Sequence, residues 1–91
     1  MTDAIAHQID SKRFEMIVDG HVCTLHYSSR PAGVSFDSVQ VPKPVGGRGL
    51  AGILTRHALD WARSEELSVE PSCPYVASWI NRHPDYADLL A

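Results

Sequence analysis

Between Pro42 and Gly49 the hydrophobic pattern changes its period, and this switch limits the possible folds more than any other feature of the chain. Before it, apolar and polar residues alternate as they do on a half-buried strand. After it, Leu50, Ile53, Leu54, His57, Ala58, Trp61 and Ala62 recur at the three- and four-residue spacing of one helix face. Neither Pro42 nor Pro44 has an N–H to donate to a ladder, and the glycines at 46, 47 and 49 permit unusual backbone angles. A strand therefore ends here, and an amphipathic helix of about four turns begins behind a glycine-rich turn.

Upstream, Phe14, Met16 and Val18 alternate with Arg13, Glu15 and Ile17, and Asp19-Gly20 is the dipeptide favoured in a tight type I′ hairpin. The return runs from His21 to Ser28, with Cys23, Leu25 and Tyr27 on one side and Val22, Thr24 and His26 on the other. Ser29 to Gly33 breaks it, and a third run spans Val34 to Val41 with polar members Asp37, Ser38 and Gln40. These three strands form an antiparallel meander. Downstream of the helix, Leu67 to Pro71 is a short fourth strand, parallel to the third because a crossover helix precedes it. Ser72 or Cys73 then caps a second helix, with Pro74 in its first turn and Val76, Ile80 and His83 at helical spacing until Pro84. Residues 1–11 show no sustained period and are read as a lead-in or an edge extension. Residues 12–91 are read as one domain, with Asp85 to Ala91 as a short terminal piece.

A chain of 91 residues can bury one modest core. A net charge of −3, with eight basic residues spread along the chain, leaves no concentrated surface for a phosphate backbone and argues against a nucleic-acid partner. The mild negative balance suits a basic partner such as an amine. Cys23 and Cys73 have no Cys-x-x-Cys spacing and are read as free thiols. His21, His26 and His83 lack partners at ligand spacing, so no metal site is expected. The acidic N-terminal segment has no apolar run like that of a secretory signal, and no stretch is long enough to span a bilayer, so the expectation is a cytoplasmic protein without a membrane partner.

The turn Val45-Gly46-Gly47-Arg48-Gly49-Leu50-Ala51 carries the first chemical signal. Without β-carbons, successive N–H groups can converge on an anion at the positive end of the helix; the plainer reading is a flexible loop. A P-loop would end in Gly-Lys-Ser/Thr, and a Rossmann turn would need a βαβ unit followed by an acid, and neither pattern is present. The turn resembles the acetyl-CoA motif of the GNAT acetyltransferases, Arg/Gln-x-x-Gly-x-Gly/Ala, with Gly49 and Ala51 on its fourth and sixth positions and Gly46 on its first. A second segment, Pro71-Ser72-Cys73-Pro74-Tyr75-Val76 followed by Trp79-Ile80-Asn81-Arg82-His83-Pro84-Asp85-Tyr86, resembles the Cys-Pro-Tyr/Phe-Val and Arg-His-Pro-Glu/Asp-Tyr elements of the small YjdJ-like GNAT branch. The resemblance covers roughly residues 13–90.

The resemblance implies an α/β (α+β) sandwich of ββ-β-α-β-α order, with its third and fourth strands splayed around the pantetheine arm of acetyl-CoA. It implies cofactor contacts from the strand backbone at Val39, Gln40 and Val41 and from Gly46, Gly47, Arg48, Gly49, Leu50 and Ala51. Gly46 stands where relatives carry a phosphate-binding side chain, which either weakens the hold on the cofactor or shifts that task to Arg48. Relatives commonly read Phe-x-His-Thr-Glu-Val-Pro on the third strand, and Ser38 and Gln40 replace the histidine and glutamate here. Cys73 reads either as a thiolate at a helix N-terminus, able to accept an acyl group, or as a small buried hydrophobe. Tyr75 could protonate the departing CoA thiolate or simply pack. His57 and Trp61 read as core, Trp79 as cover for a subunit contact or the site mouth, and Arg56 and Arg63 as a solvated face able to meet phosphates. The implied activity is acetyl transfer from acetyl-CoA to an amine, by a monomer or weak homodimer. The alternative is a CoA-binding module with little turnover.

Overall fold

The alternation of Phe14, Met16 and Val18 with exposed Ile17 forms strand β2 (Arg13–Val18), which turns through Asp19 (φ 49°) and Gly20 (φ 78°) into β3 (His21–Arg30). Both turn residues are left-handed, as a type I′ hairpin requires. In the computed structural model, which describes residues 4–90, these strands belong to a five-stranded mixed sheet of order β1-β2-β3-β4-β5. Strand β3 runs two residues beyond the sequence reading, because Ser29 and Arg30 stay paired with Val34 and Gly33 of β4 (Gly33–Gln40). The turn is left with only Pro31 and Ala32.

The expected ββ-β-α-β-α order acquires one more strand. Within the segment read as lead-in or edge extension, Ile5–Gln8 forms β1, antiparallel to β2 in the register Ile5 with Met16. It is the edge extension, and residues 1–3 lie outside the described residues. Four residues are too few to show a period, and tertiary partners hold them instead. His7 stacks on Phe14 at 4.1 Å and shares a 2.6 Å hydrogen bond with the Tyr27 hydroxyl.

Helix α1 (Leu50–Ser64) lies across the sheet face that carries Phe14, Leu25, Tyr27 and Phe36. Its buried residues are Leu50, Leu54, Thr55, Ala58, Leu59 and Ala62, while Ile53 is 41 % exposed and His57 is also exposed. The expected stripe is therefore rotated: Ile53 and His57 move out, and Thr55 and Leu59 move in. Thr55 enters the core because its hydroxyl donates to the Ala51 carbonyl at 2.7 Å, which satisfies the polar atom. Each fully buried large apolar side chain contributes about 1.5–3 kcal/mol relative to exposure.

The parallel strand read from Leu67 to Pro71 is β5 (Ser68–Glu70), paired with β4 over Gly33, Val34 and Ser35. Beyond Ser35 the chains diverge. A last bridge, the Cys73 N–H donating to the Phe36 carbonyl at 2.9 Å, precedes the gap. Helix α2 (Pro74–Arg82) packs beside α1, and a 3-10 segment (Pro84–Leu89) buries Tyr86 and Leu89. The terminal piece thus joins the core as far as Leu90, which forms a parallel bridge with Val69, and Ala91 lies outside the described residues. Ile17 and Val22, 54 % and 46 % exposed, sit opposite each other on the sheet face away from α1. Among the described residues no helix is long and apolar enough to cross a membrane.

Candidate functional site

The prolines after β4 place Lys43–Val45 in a 3-10 turn, and Gly46 to Gly49 then carry the chain into α1. Gly47 (φ 78°) and Gly49 (φ 76°) are left-handed, and a β-carbon on either would project into open space. Gly49 caps α1 without a side-chain hydrogen bond, and no acid lies in the first helical turn. The first N–H groups of a helix have no intrahelical acceptor. Here they stand at the positive end of the helix behind a turn in which only Arg48 carries a side chain, which is an arrangement suited to an anion. The space a β-carbon would fill is space a phosphate could fill, so the residues present fit a diphosphate. Arg48 points elsewhere: its guanidinium donates to Asp19 at 2.6 Å, at the tip of the β2–β3 hairpin.

The second wall comes from β4 and α2. His26 opposes Ser38 and Tyr27 opposes Phe36, so Asp37 is an extra residue on β4. This is a β-bulge, which bends the strand and ends regular pairing beside the gap. After the bulge Val39 opposes Leu25, and Val39 and Val41 pack against the core, which leaves the β4 edge to offer backbone rather than side chains to the gap. Ser35, fully buried, donates its hydroxyl to Asp37 at 2.7 Å and shares a second 2.7 Å hydrogen bond with Ser72. His26 stands opposite Ser38, 3.2 Å from the Thr24 hydroxyl.

Cys73 is the N-cap of α2 and is 6 % exposed, so its thiol belongs to the core while its N–H holds β4. Tyr75 is half-buried. Its hydroxyl lies 3.4 Å from where a β-carbon on Gly52 would stand, as does the Trp79 indole nitrogen. A β-carbon at Gly52 would make ordinary contact with both, and only a larger side chain would push α2 away from the first turn of α1. Trp79 is buried rather than a lid, stacked on His83 at 3.7 Å and 12°.

An open trough of about 470 Å³ runs over the outward face of α1, bounded by Gly49, Gly52, Ile53, Arg56, His57 and Trp79. The Arg56 guanidinium lies 5.2 Å from the Trp79 ring centroid and 5.7 Å from that of Tyr86. Tyr86 donates its hydroxyl to Asp60 at 2.7 Å, and burial, followed by that carboxylate, pushes its pKa up. Arg63 pairs with Asp88 at 2.6 Å.

A sequence model of GCN5-related N-acetyl-transferases matches residues 13–89, most of the chain. The chain belongs to the GCN5-related N-acetyltransferase family. The match is to the family, not to a branch within it. The fold agrees with the solution NMR structure of a GCN5-like protein from Staphylococcus aureus at a TM-score of 0.78 and 19% identity, covering 100% of this chain and 91% of that one.

Within this GCN5-related fold, the residues read from sequence fall into separate groups. Gly46 to Ala51 form the turn and helix start, Val39 to Val41 the neighbouring strand edge, and Tyr75 the facing helix. Cys73 is set back into the core, and Arg48 is turned toward Asp19. The sequence marks Asp37 as a polar member of its strand but not the bulge there, its Ser35–Ser72 support, or the facing of His26 and Ser38. None of these has a local signal, since they depend on the register of two strands and on one inserted residue.

Proposed function

We propose that this chain binds acetyl-CoA, with the diphosphate on the N–H groups from Gly47 to Ala51, and transfers the acetyl group to an amine. The observation that carries this reading is the α1 N-terminus, which has no side-chain cap and no acid in its first turn, behind two left-handed glycines. Bound acetyl-CoA supplies an acyl group activated as a thioester. The strand edge at Val39 to Val41 orients the pantetheine arm through backbone N–H and C=O groups. The Tyr75 hydroxyl, beside Gly52, is the donor for the leaving thiolate.

Removal of the amine's proton falls to His26. Ser38 and Gln40 are poor bases, whereas His26 faces Ser38 across the strands and carries an imidazole, the group most often used for this task. Cys73 fits a positioning role better than that of acyl acceptor, since its thiol is in the core.

A second reading is a CoA-binding module with little turnover, favoured by Gly46, Ser38 and Gln40, which replace a phosphate-binding side chain and two stronger bases. Calorimetric titration of acetyl-CoA, with thiol release measured over a panel of primary amines, separates the two. Binding with release supports the transferase, binding without release under every condition supports the module, and no binding rejects both.

A further inference from the structure

The glycine turn leads directly into the trough over α1, and the guanidinium of Arg56 lines that trough. Arg13, Arg30, Arg48 and Arg63 each lie within 3.3 Å of an acid. Arg82, which does not line the trough, donates to Ser78, and among the described residues Arg56 is in no ion pair. Its guanidinium is braced by the rings of Trp79 and Tyr86, with a long 3.4 Å hydrogen bond to the Tyr86 hydroxyl. Such bracing fixes the plane of the group while leaving most of its donors free. Asp60 lines the same trough one turn further along α1 and is engaged by the Tyr86 hydroxyl rather than by Arg56.

Gly49, Gly52 and Arg56 are spaced three and four residues apart, so they lie on one face of α1, with Arg56 two turns or about 10 Å from the turn. With no side chain at Gly49 or Gly52, the α1 wall at this end of the trough is bare backbone, low enough for a sugar to lie across it. An anion separated from the diphosphate by one ribose is a nucleotide 3′-phosphate. We propose that Arg56 receives the 3′-phosphate of CoA, so that the protein prefers CoA to dephospho-CoA. This rests on the acetyl-CoA reading above. Arginine suits the role because its fork can donate two parallel hydrogen bonds to a phosphate.

Calorimetry with CoA and with dephospho-CoA on the wild type, Arg56→Ala and Arg56→Lys tests the assignment. The wild type should bind CoA roughly tenfold or more tightly than dephospho-CoA, the scale of a charged hydrogen bond. Arg56→Ala should lose that preference while keeping the wild-type affinity for dephospho-CoA. Arg56→Lys should regain part of it, because charge returns without the fork, and it also keeps the aliphatic stem should Arg56→Ala fold poorly. The Arg56 side-chain N–H resonance should shift with CoA and not with dephospho-CoA. Equal affinity of the wild type for both ligands overturns the proposal while leaving the diphosphate site intact, and so does an equal loss for both in Arg56→Ala. Failure of the wild type to bind either ligand defeats the acetyl-CoA reading and this subsite with it.

Discussion

Arg48 and Asp19, separated by 29 positions, are joined by a 2.6 Å hydrogen bond that ties the glycine turn to the tip of the β2–β3 hairpin. Both side chains are largely exposed, so the pair is worth at most about 1 kcal/mol. It also places a carboxylate beside a turn built for an anion. Asp19→Asn should release Arg48 and remove that negative charge, tightening CoA about three- to fivefold in calorimetry, an effect within the range of exposed pairs. Stability should be unchanged, because asparagine tolerates the left-handed angle at position 19 as well as aspartate does. Weaker CoA binding in this variant would mean that the pair orders the turn rather than competing with the ligand.

At Gly49 two effects combine. A β-carbon there meets nothing within the protein, so the loss of phosphate access is the functional effect, but φ is 76° and any other residue is strained. Gly49→Ala should lower stability by about 1–2 kcal/mol in urea unfolding and weaken CoA by at least about tenfold. Gly49→Val, β-branched, should cost more in stability. A stably folded Gly49→Ala protein with undiminished CoA affinity would move the diphosphate away from this turn.

Cys73 and Tyr75, two residues apart, should behave differently. Cys73→Ala removes a core thiol and should lower stability by about 1 kcal/mol, with turnover per folded molecule nearly unchanged. Tyr75→Phe keeps the ring and removes the hydroxyl, so CoA affinity and stability should hold while kcat falls, by roughly 10- to 100-fold if leaving-group protonation limits the rate. Steady-state thiol release with an active amine reads both variants. Loss of turnover in Cys73→Ala alone would restore the acyl-acceptor role.

The position of His26 gives a third kinetic test. His26→Gln should reduce kcat by about 100-fold, the usual scale of a lost general base, with acetyl-CoA affinity unchanged. The rate lost should return partly at high pH, where more of the free amine is already unprotonated. An unchanged rate at neutral pH would assign proton removal to solvent.

Periodicity carried much of this structure and failed at identifiable places. The change of period at Pro42 to Gly49, the Asp19-Gly20 turn and the parallel return through Val69 are all set by local chemistry, and each was readable. The bulge at Asp37 was not, because an inserted residue shows only against the register of β3. Thr55 looked polar and is buried, since a backbone carbonyl one turn away satisfies it. Arg48 looked like the phosphate ligand because it sits in the turn, and only the folded hairpin shows Asp19 beside it. Strand β1 is held by an aromatic stack with residues it meets only in three dimensions.

That stack makes stability depend on pH. His7 lies against Phe14, next to Tyr27 and Trp61, and its pKa is lowered first by burial and then by repulsion from His57, with Glu65 pulling weakly the other way. The neutral ring can accept the Tyr27 hydroxyl hydrogen, and burial keeps that hydroxyl protonated by pushing its pKa up. As pH falls below the ordinary histidine value of about 6.5, the unfolded chain takes up a proton that the folded chain still resists. The unfolded state then binds more protons, so stability decreases on acidification and is regained toward neutrality. Urea midpoints should therefore drop between pH 7.5 and pH 5, and the drop should shrink in His7→Phe, which keeps a stacking ring but cannot titrate. A drop of equal size in that variant would place the sensitivity elsewhere in the chain.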